Sequence, residues 1–99
     1  MIEATAETFD GLVEEGVVLL DFHAPWCGPC LALGPILEQV EGAKVVKVNI
    51  DQEQELAKRF DVSSIPKLVV LKDGVSVSTM VGLRSKEDLQ RAINEAAAG

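Results

Sequence analysis

The stretch Trp26-Cys27-Gly28-Pro29-Cys30 contains both cysteines of the chain. It follows a nearly continuous apolar run, Val17 to Phe22, which is typical of a central strand covered on both faces. Gly28 allows a tight turn, and Pro29 fixes the backbone angle φ at a value suited to the first turn of a helix. The sequence therefore predicts that the two thiols lie where a buried strand passes into the N-terminus of a helix.

This position suits thiol–disulfide exchange. The attacking species is a thiolate, and the free N–H groups and dipole of a helix N-terminus stabilise its negative charge. Cys27 is predicted to occupy that end and to be the more exposed thiol. Cys30, one turn inside the helix, can then reach back and resolve a mixed disulfide. A purely structural disulfide is a poor interpretation, because closing so short a loop removes little entropy from the unfolded chain.

Apolar residues at helical spacing predict four helices. The first begins at Thr5 and ends at Gly16, and the second follows the cysteines, with a kink expected at Gly34-Pro35. The third is predicted to open with a capping box, Asp51 to Gln54, and the last to be capped by Ser85.

Apolar and β-branched runs predict the strands. Their expected bounds are Val17 to Phe22, Lys44 to Ile50, Lys67 to Lys72 and Val75 to Val81. The last two are joined by Asp73-Gly74, which favours a hairpin turn. With one more strand before the first helix, the order predicts an α/β fold with a mixed central sheet and helices on both faces. No repeat or linker interrupts residues 1–99, so we expect one domain.

Charge and hydropathy argue against two classes of partner. The formal net charge of −7 is unfavourable for binding nucleic acid, whose phosphates must be neutralised by clustered Lys and Arg. The longest strongly apolar runs, Val17 to Leu20 and Leu68 to Leu71, are far shorter than a membrane span. The first residues also lack the basic and apolar regions of a targeting signal. We therefore expect a cytoplasmic protein with neither a nucleic-acid nor a membrane partner.

The cysteine motif and four further features, taken in order, resemble the thioredoxin family. The further features are Asp21 in the apolar strand, Lys47 followed by Asn49-Ile50-Asp51, Ile65-Pro66, and Val81-Gly82. The resemblance covers the whole chain. It implies the thioredoxin fold, a three-layer α/β/α sandwich around a mixed five-stranded sheet, and a protein that reduces disulfides in partner proteins. We also expect a monomer.

The resemblance implies a role for each matched catalytic position. Cys27 would be the nucleophile and Cys30 the resolving thiol. Asp21 would be a buried carboxylate that manages the proton of Cys30, with Lys47 nearby. Pro66 would follow a cis peptide bond and pack against the disulfide.

The resemblance also implies an apolar rim on which substrate proteins dock. Its residues would be Trp26, Gly28, Pro29, Ile65, Gly82 and Leu83. The backbone at Ile65 could pair with an extended substrate segment. A thioredoxin reductase would donate electrons, the substrates would be proteins with disulfides, and the redox-active Cys27–Cys30 disulfide would work without a bound cofactor or metal.

Plainer interpretations stay open for several of these residues. Asp21 could be an exposed strand end, although its apolar neighbours favour burial, which would raise its pKa by desolvation. Lys47 could be a solvated strand lysine. Pro66 could be trans, as most prolines are. Trp26 could belong to the core, although an indole beside the nucleophile suits an interface.

The sequence departs from the common family pattern at three positions. His23 replaces a usual tryptophan, Leu31 a frequent lysine and Lys67 a frequent threonine. Because Asp21 and His23 share a strand face, we expect the imidazole, a group that titrates near neutrality, to lie close to Cys27 and stabilise its thiolate. Asp51 is the expected partner of His23. The alternative is that His23 only fills space that an indole would occupy.

Three other functions are less consistent with the sequence. A zinc site would need four ligands, and two cysteines and one histidine supply at most three unless a dimer shares the site. A redox-inert interaction module of the same fold would usually lack one cysteine. An oxidase or isomerase is less favoured than a reductant, because Gly28-Pro29 separates the cysteines and no export signal is seen.

Overall fold

The computed structural model describes all 99 residues. The elements in chain order are β1 (Ile2–Glu3), α1 (Phe9–Val13), β2 (Val17–His23), α2 (Gly28–Leu37), β3 (Lys44–Asn49), α3 (Gln54–Arg59), β4 (Lys67–Lys72), β5 (Val75–Val81) and α4 (Lys86–Ala98).

The five strands form one mixed sheet in the order β1-β3-β2-β4-β5. The pairs β1–β3 and β3–β2 are parallel, whereas β2–β4 and β4–β5 are antiparallel. The apolar β2 lies at the centre, where both of its faces are covered, which explains its continuous hydrophobic run. The mixed sheet predicted from the sequence is confirmed.

Alternation along β2 builds a core on each face of the sheet. Leu20 and Phe22 point to the side covered by α1 and α3, where Phe9 and Leu56 pack. Leu19 points to the opposite side, which α2 and α4 cover with the buried residues Leu33, Leu37, Leu89 and Ile93. The result is three layers, helices–sheet–helices, with the cysteine motif at the start of α2.

The hairpin and the last helix form as their local sequences predict. Asp73 and Gly74 both have positive φ, 50° and 83°, which is the conformation of a tight two-residue hairpin turn. The Asp73 carboxylate also accepts a hydrogen bond from the Gly16 N–H at 2.8 Å. At the start of α4, the Ser85 hydroxyl accepts from the Asp88 N–H at 3.1 Å, as an N-cap should.

The predicted starts of two helices are wrong. Helix α1 begins at Phe9, because Thr5 to Thr8 form a separate turn in which the two threonine hydroxyls bond to each other at 3.2 Å. Helix α3 begins at Gln54 with no side-chain cap, so the capping box at Asp51 does not form. The Asn49 side chain instead accepts from the Asp51 N–H at 2.9 Å, which turns the chain before the helix starts.

Candidate active site

The two cysteines are held where β2 passes into α2. After His23 the chain makes a short turn in which the Cys27 N–H donates to the Ala24 carbonyl at 3.2 Å. Cys27 is the N-cap of α2, and its sulfur accepts a hydrogen bond from the Cys30 N–H at 3.2 Å. Pro29 lies in the first turn, where its missing N–H breaks no helical bond. The two cysteines are joined by a disulfide, with Cα atoms 5.2 Å apart.

The expected difference in exposure between the cysteines is absent in this disulfide form. Cys27 is 5% exposed and Cys30 is 6% exposed, so the prediction that Cys27 is the more exposed is wrong here. The physical reason is that both pack in one small apolar cluster with Ala24, against which Ile50 and Ile65 lie. What distinguishes Cys27 is its place at the helix N-terminus and the N–H aimed at its sulfur.

A loop from the other side of the sheet closes over the disulfide. The Ile65–Pro66 peptide bond is cis, and Pro66 is buried. The Ile65 carbonyl oxygen lies 4.0 Å from the Cys27 sulfur. The Pro66 carbonyl in turn accepts from the Gly82 N–H at 2.8 Å, and Gly82 adopts a φ of 95° that favours glycine. The start of α2, the loop at Ile65-Pro66 and Gly82 after β5 thus meet at one surface.

Around this surface several side chains remain open to solvent. Trp26 is 68% exposed and Leu83 is 51% exposed, so both present apolar surface to solvent. The Trp26 indole N–H donates to the Asp51 carboxylate at 2.9 Å, so the ring is held in place although it is exposed. Gly28 and Pro29 are exposed as well.

Asp21 lies inside the protein, on the face of the sheet that α2 covers. It is 1% exposed, and no protein group hydrogen-bonds to either carboxylate oxygen. Desolvation by burial raises the pKa of Asp21 from 3.8 to about 6, although the charges of His23 and Lys47 oppose the rise. Asp21 and Lys47 are direct neighbours across β2 and β3. The buried carboxylate that the sequence predicted is confirmed.

His23 has a different partner from the one expected. Its Nε2 lies 3.1 Å from the carboxylate of Glu3, which comes from β1. The Asp51 carboxylate is bound to Trp26, so the predicted His23–Asp51 pair is wrong. Glu3 was missed because a strand of two residues gives almost no pattern in sequence. Its register, Glu3 beside Lys47, puts it on the same face as His23.

The positions of the thiols define the class of protein. The two cysteines form a disulfide at a helix N-terminus. One thiol can attack a substrate disulfide, and the other can then displace the substrate and restore the Cys27–Cys30 bond. This chemistry makes the chain a dithiol/disulfide oxidoreductase. Nothing favours the redox-inert or metal-bridging alternative.

Comparisons with known proteins agree. The family model "Thioredoxin" matches residues 1–95. Thioredoxin from Bacillus subtilis (strain 168) is 46% identical over 100 residues, which cover 96% of each chain. Thioredoxin from Chlamydia caviae is 45% identical over 95 residues, or 92% of this chain and 93% of that one. A mutant thioredoxin from Halobacterium salinarum NRC-1 superposes with a TM-score of 0.90 at 35% identity, covering 97% of this chain and 89% of that one.

The chain belongs to the thioredoxin family and is a protein-disulfide reductase of that type. Its three layers and mixed five-stranded sheet are the thioredoxin fold. None of its helices has the length and apolar character needed to cross a membrane.

Proposed function

We propose that Cys27 attacks disulfides in partner proteins and that Cys30 resolves the mixed disulfide that results. The observation that supports this most directly is the Cys30 N–H, which lies 3.2 Å from the Cys27 sulfur at the start of α2. In the reduced protein the same N–H and the helix dipole would stabilise a Cys27 thiolate. Cys30 has no such donor aimed at it among the hydrogen bonds of the site, which supports the assignment of the slower, resolving role.

The two steps balance as a two-electron transfer. The Cys27 thiolate attacks one sulfur of the substrate disulfide, and the other substrate sulfur leaves as a thiolate that takes up a proton. Cys30 then loses its proton and attacks the Cys27 sulfur, which breaks the mixed disulfide and releases the second substrate thiol. The substrate is reduced by two electrons and the Cys27–Cys30 disulfide is formed.

Asp21 is the group we assign to the proton of Cys30. A general base works best when its pKa lies near the operating pH, and burial raises the pKa of Asp21 to about 6. The positive charge of Lys47, the neighbour of Asp21 across the sheet, lowers the pKa of Asp21 and so favours its ionised form. Pro66, buried beside Ile65 in the loop over the disulfide, completes the catalytic set.

The exposed surface around Cys27 is the proposed docking site for substrates. An extended substrate segment would pair with the backbone of Ile65, whose carbonyl already lies 4.0 Å from the Cys27 sulfur. The apolar rim consists of Trp26, Gly28, Pro29, Ile65, Gly82 and Leu83. Trp26, held by Asp51, would supply a rigid aromatic contact.

Family membership supports the remaining assignments. Residues 1–99 would act as one thioredoxin domain and as a monomer in the cytoplasm. A thioredoxin reductase would return electrons to the Cys27–Cys30 disulfide, so that the protein serves in electron transport and in redox homeostasis of the cell. The disulfide is the only redox group that this cycle requires.

Alkylation of the reduced protein should be strongly unequal. We expect Cys27 to react with iodoacetamide at least about tenfold faster than Cys30 at pH 7, because only Cys27 has the helix N-terminus to stabilise its thiolate. Peptide mapping by mass spectrometry after short exposure measures both rates. Faster modification of Cys30 would reverse the two roles.

A coupled assay tests the proposed cycle as a whole. The oxidised chain is mixed with a disulfide-containing protein and with a thioredoxin reductase supplied with its own reductant. We expect reduction of the disulfide protein to depend on all three components. Reduction that proceeds equally well without the chain, or a reduced chain that leaves the substrate disulfide intact, would contradict the proposal.

A further inference from the structure

Four ionisable side chains share the face of the sheet that lies beneath the start of α2. They come from three neighbouring strands, and the register of those strands sets them side by side. Glu3 is on β1, Lys47 is on β3, and Asp21 and His23 are on β2. Because Asp21 and His23 are two residues apart on one strand, their Cα atoms lie about 7 Å apart with the side chains on the same side.

A pocket of about 230 Å³ opens beside this group. His23 and Lys47 form its polar wall, and α2 supplies Cys30, Leu31 and Gly34. The cysteine in this wall is the resolving Cys30, and Cys27 is absent from it. His23 therefore lies on the side of Cys30, which acts in the resolving step. The sequence instead suggested an effect on the first step, the attack by Cys27.

Exposure increases stepwise from Asp21 to the surface. Asp21 is 1% exposed, the His23 side chain is 14% exposed, and the Glu3 side chain is 52% exposed. The imidazole lies between a buried carboxylate and solvent, and Glu3 fixes the ring by accepting from or pairing with its Nε2 at 3.1 Å. This arrangement places the imidazole next to the buried carboxylate along β2, and no protein hydrogen bond joins the two side chains.

We propose that His23, held by Glu3, is a positioning residue for the resolving step, where its positive charge favours the ionised form of Asp21. The inference rests on the proposed roles of Asp21 and Cys30. His23 acts through Asp21, and it touches neither the substrate nor the sulfur atoms that exchange.

The proton balance of the step is simple. Cys30 gives its proton to the Asp21 carboxylate as its sulfur attacks Cys27, and the substrate leaves as a thiolate. Asp21 then returns the proton to solvent, and the departing thiolate takes one up. No net oxidation or reduction occurs beyond the exchange between the cysteines and the substrate.

The charges that face His23 set the direction of the effect. Glu3 is negative, Lys47 is positive, and Asp21 is the group being titrated, while the part of α2 in the pocket adds no charged side chain. A positive charge on the His23 imidazole lowers the pKa of Asp21.

Two substitutions separate charge from packing. His23→Gln removes the positive charge that the imidazole can carry, whereas His23→Lys keeps a positive charge that can still pair with Glu3. We expect the acid limb of the resolving rate to move up by roughly 0.5 to 1.5 pH units in His23→Gln, the range for one charge at about 7 Å. In His23→Lys the acid limb of the resolving rate should lie at the same pH as in wild type or at a lower pH.

Stopped-flow reaction of the reduced protein with Ellman's reagent measures the step. The first release of thionitrobenzoate reports attack by Cys27, and the second reports resolution by Cys30. We expect only the second phase to differ between the two variants. Equal shifts in both variants, or a His23→Gln profile that superimposes on wild type, would overturn the inference and leave His23 as packing.

An NMR titration gives a readout that does not depend on activity. The carboxyl carbon signal of Asp21 should titrate at higher pH in His23→Gln than in His23→Lys. An unchanged midpoint would also overturn the inference. If wild-type protein failed to reduce Ellman's reagent, the proposed function would fall, and the NMR midpoints would still decide whether His23 controls the ionisation of Asp21.

Discussion

Cys27→Ser is expected to abolish disulfide reduction, whereas Cys30→Ser is expected to trap covalent complexes with substrate proteins. A serine hydroxyl is not ionised at neutral pH, so loss of the Cys27 thiolate should lower the rate by roughly a thousandfold or more. Without Cys30 the first exchange can still occur, because the helix N-terminus and the docking surface are unchanged. The mixed disulfide on Cys27 then has no internal thiol to release it.

Non-reducing electrophoresis and intact mass measurement distinguish these outcomes. The Cys30→Ser protein should gain the mass of the substrate, and a reducing agent should reverse the gain. The double variant, in which both cysteines are serine, is the matched control and should form no adduct. Adducts on the Cys27→Ser protein but none on Cys30→Ser would show that the roles are exchanged.

Asp21→Asn is expected to stabilise the folded protein at neutral pH. The wild-type carboxylate is 1% exposed and lacks a hydrogen-bonding protein group, so its ionised form is costly in the folded state. The rise of the pKa of Asp21 from 3.8 to about 6 corresponds, at about 1.4 kcal/mol per unit, to at most roughly 3 kcal/mol. We expect a gain in the free energy of unfolding of about 1–3 kcal/mol at pH 7.

The sign of the pH dependence follows from the raised pKa. Between about pH 4 and pH 6 the folded protein holds a proton on Asp21 that the unfolded chain has lost, so wild-type stability falls as the pH rises through this window. The advantage of Asp21→Asn should therefore be full above pH 6 and vanish below about pH 4.

Urea melts of the two proteins at several pH values measure this difference. Asp10→Asn is a suitable control, because Asp10 is 85% exposed and its ion pair with Arg59 is on the surface. Such a pair contributes about 0–1 kcal/mol, so its loss should not stabilise the protein. Equal stability of wild type and Asp21→Asn at pH 7 would mean that the carboxylate is solvated or paired in solution.

The sequence was most informative where structure is set by neighbouring residues. The hairpin at Asp73-Gly74 and the cap at Ser85 were predicted correctly because a turn and a helix start depend on a few adjacent residues. The position of the cysteines at the N-terminus of α2 was also predicted, since Gly28 allows a tight turn and Pro29 favours the first turn of a helix.

The start of α1 was missed because of a local turn from Thr5 to Thr8, and the other errors occurred where a distant residue decides the outcome. The N-cap position of α3 falls on Glu53, and the Asp51 carboxylate instead binds the Trp26 indole, 25 positions away. His23 pairs with Glu3, a contact that depends on the register of β1 and cannot be read from local pattern. The exposure of Cys27 was overestimated, because the loop carrying Ile65 covers it from another part of the chain. Polar side chains at the site are thus positioned by tertiary contacts that periodicity does not encode.

The central claim, that Cys27 and Cys30 together carry one pair of electrons to a substrate disulfide, is tested most directly by the stoichiometry of a single turnover. Fully reduced protein, freed of reductant, is mixed with an excess of a disulfide-containing protein, and new substrate thiols are counted while the chain is mapped by mass spectrometry. We expect one substrate disulfide to be reduced per chain, with an intramolecular Cys27–Cys30 disulfide formed in step. Substrate reduction without that disulfide, or cysteines that stay reduced beside an intact substrate, would contradict it.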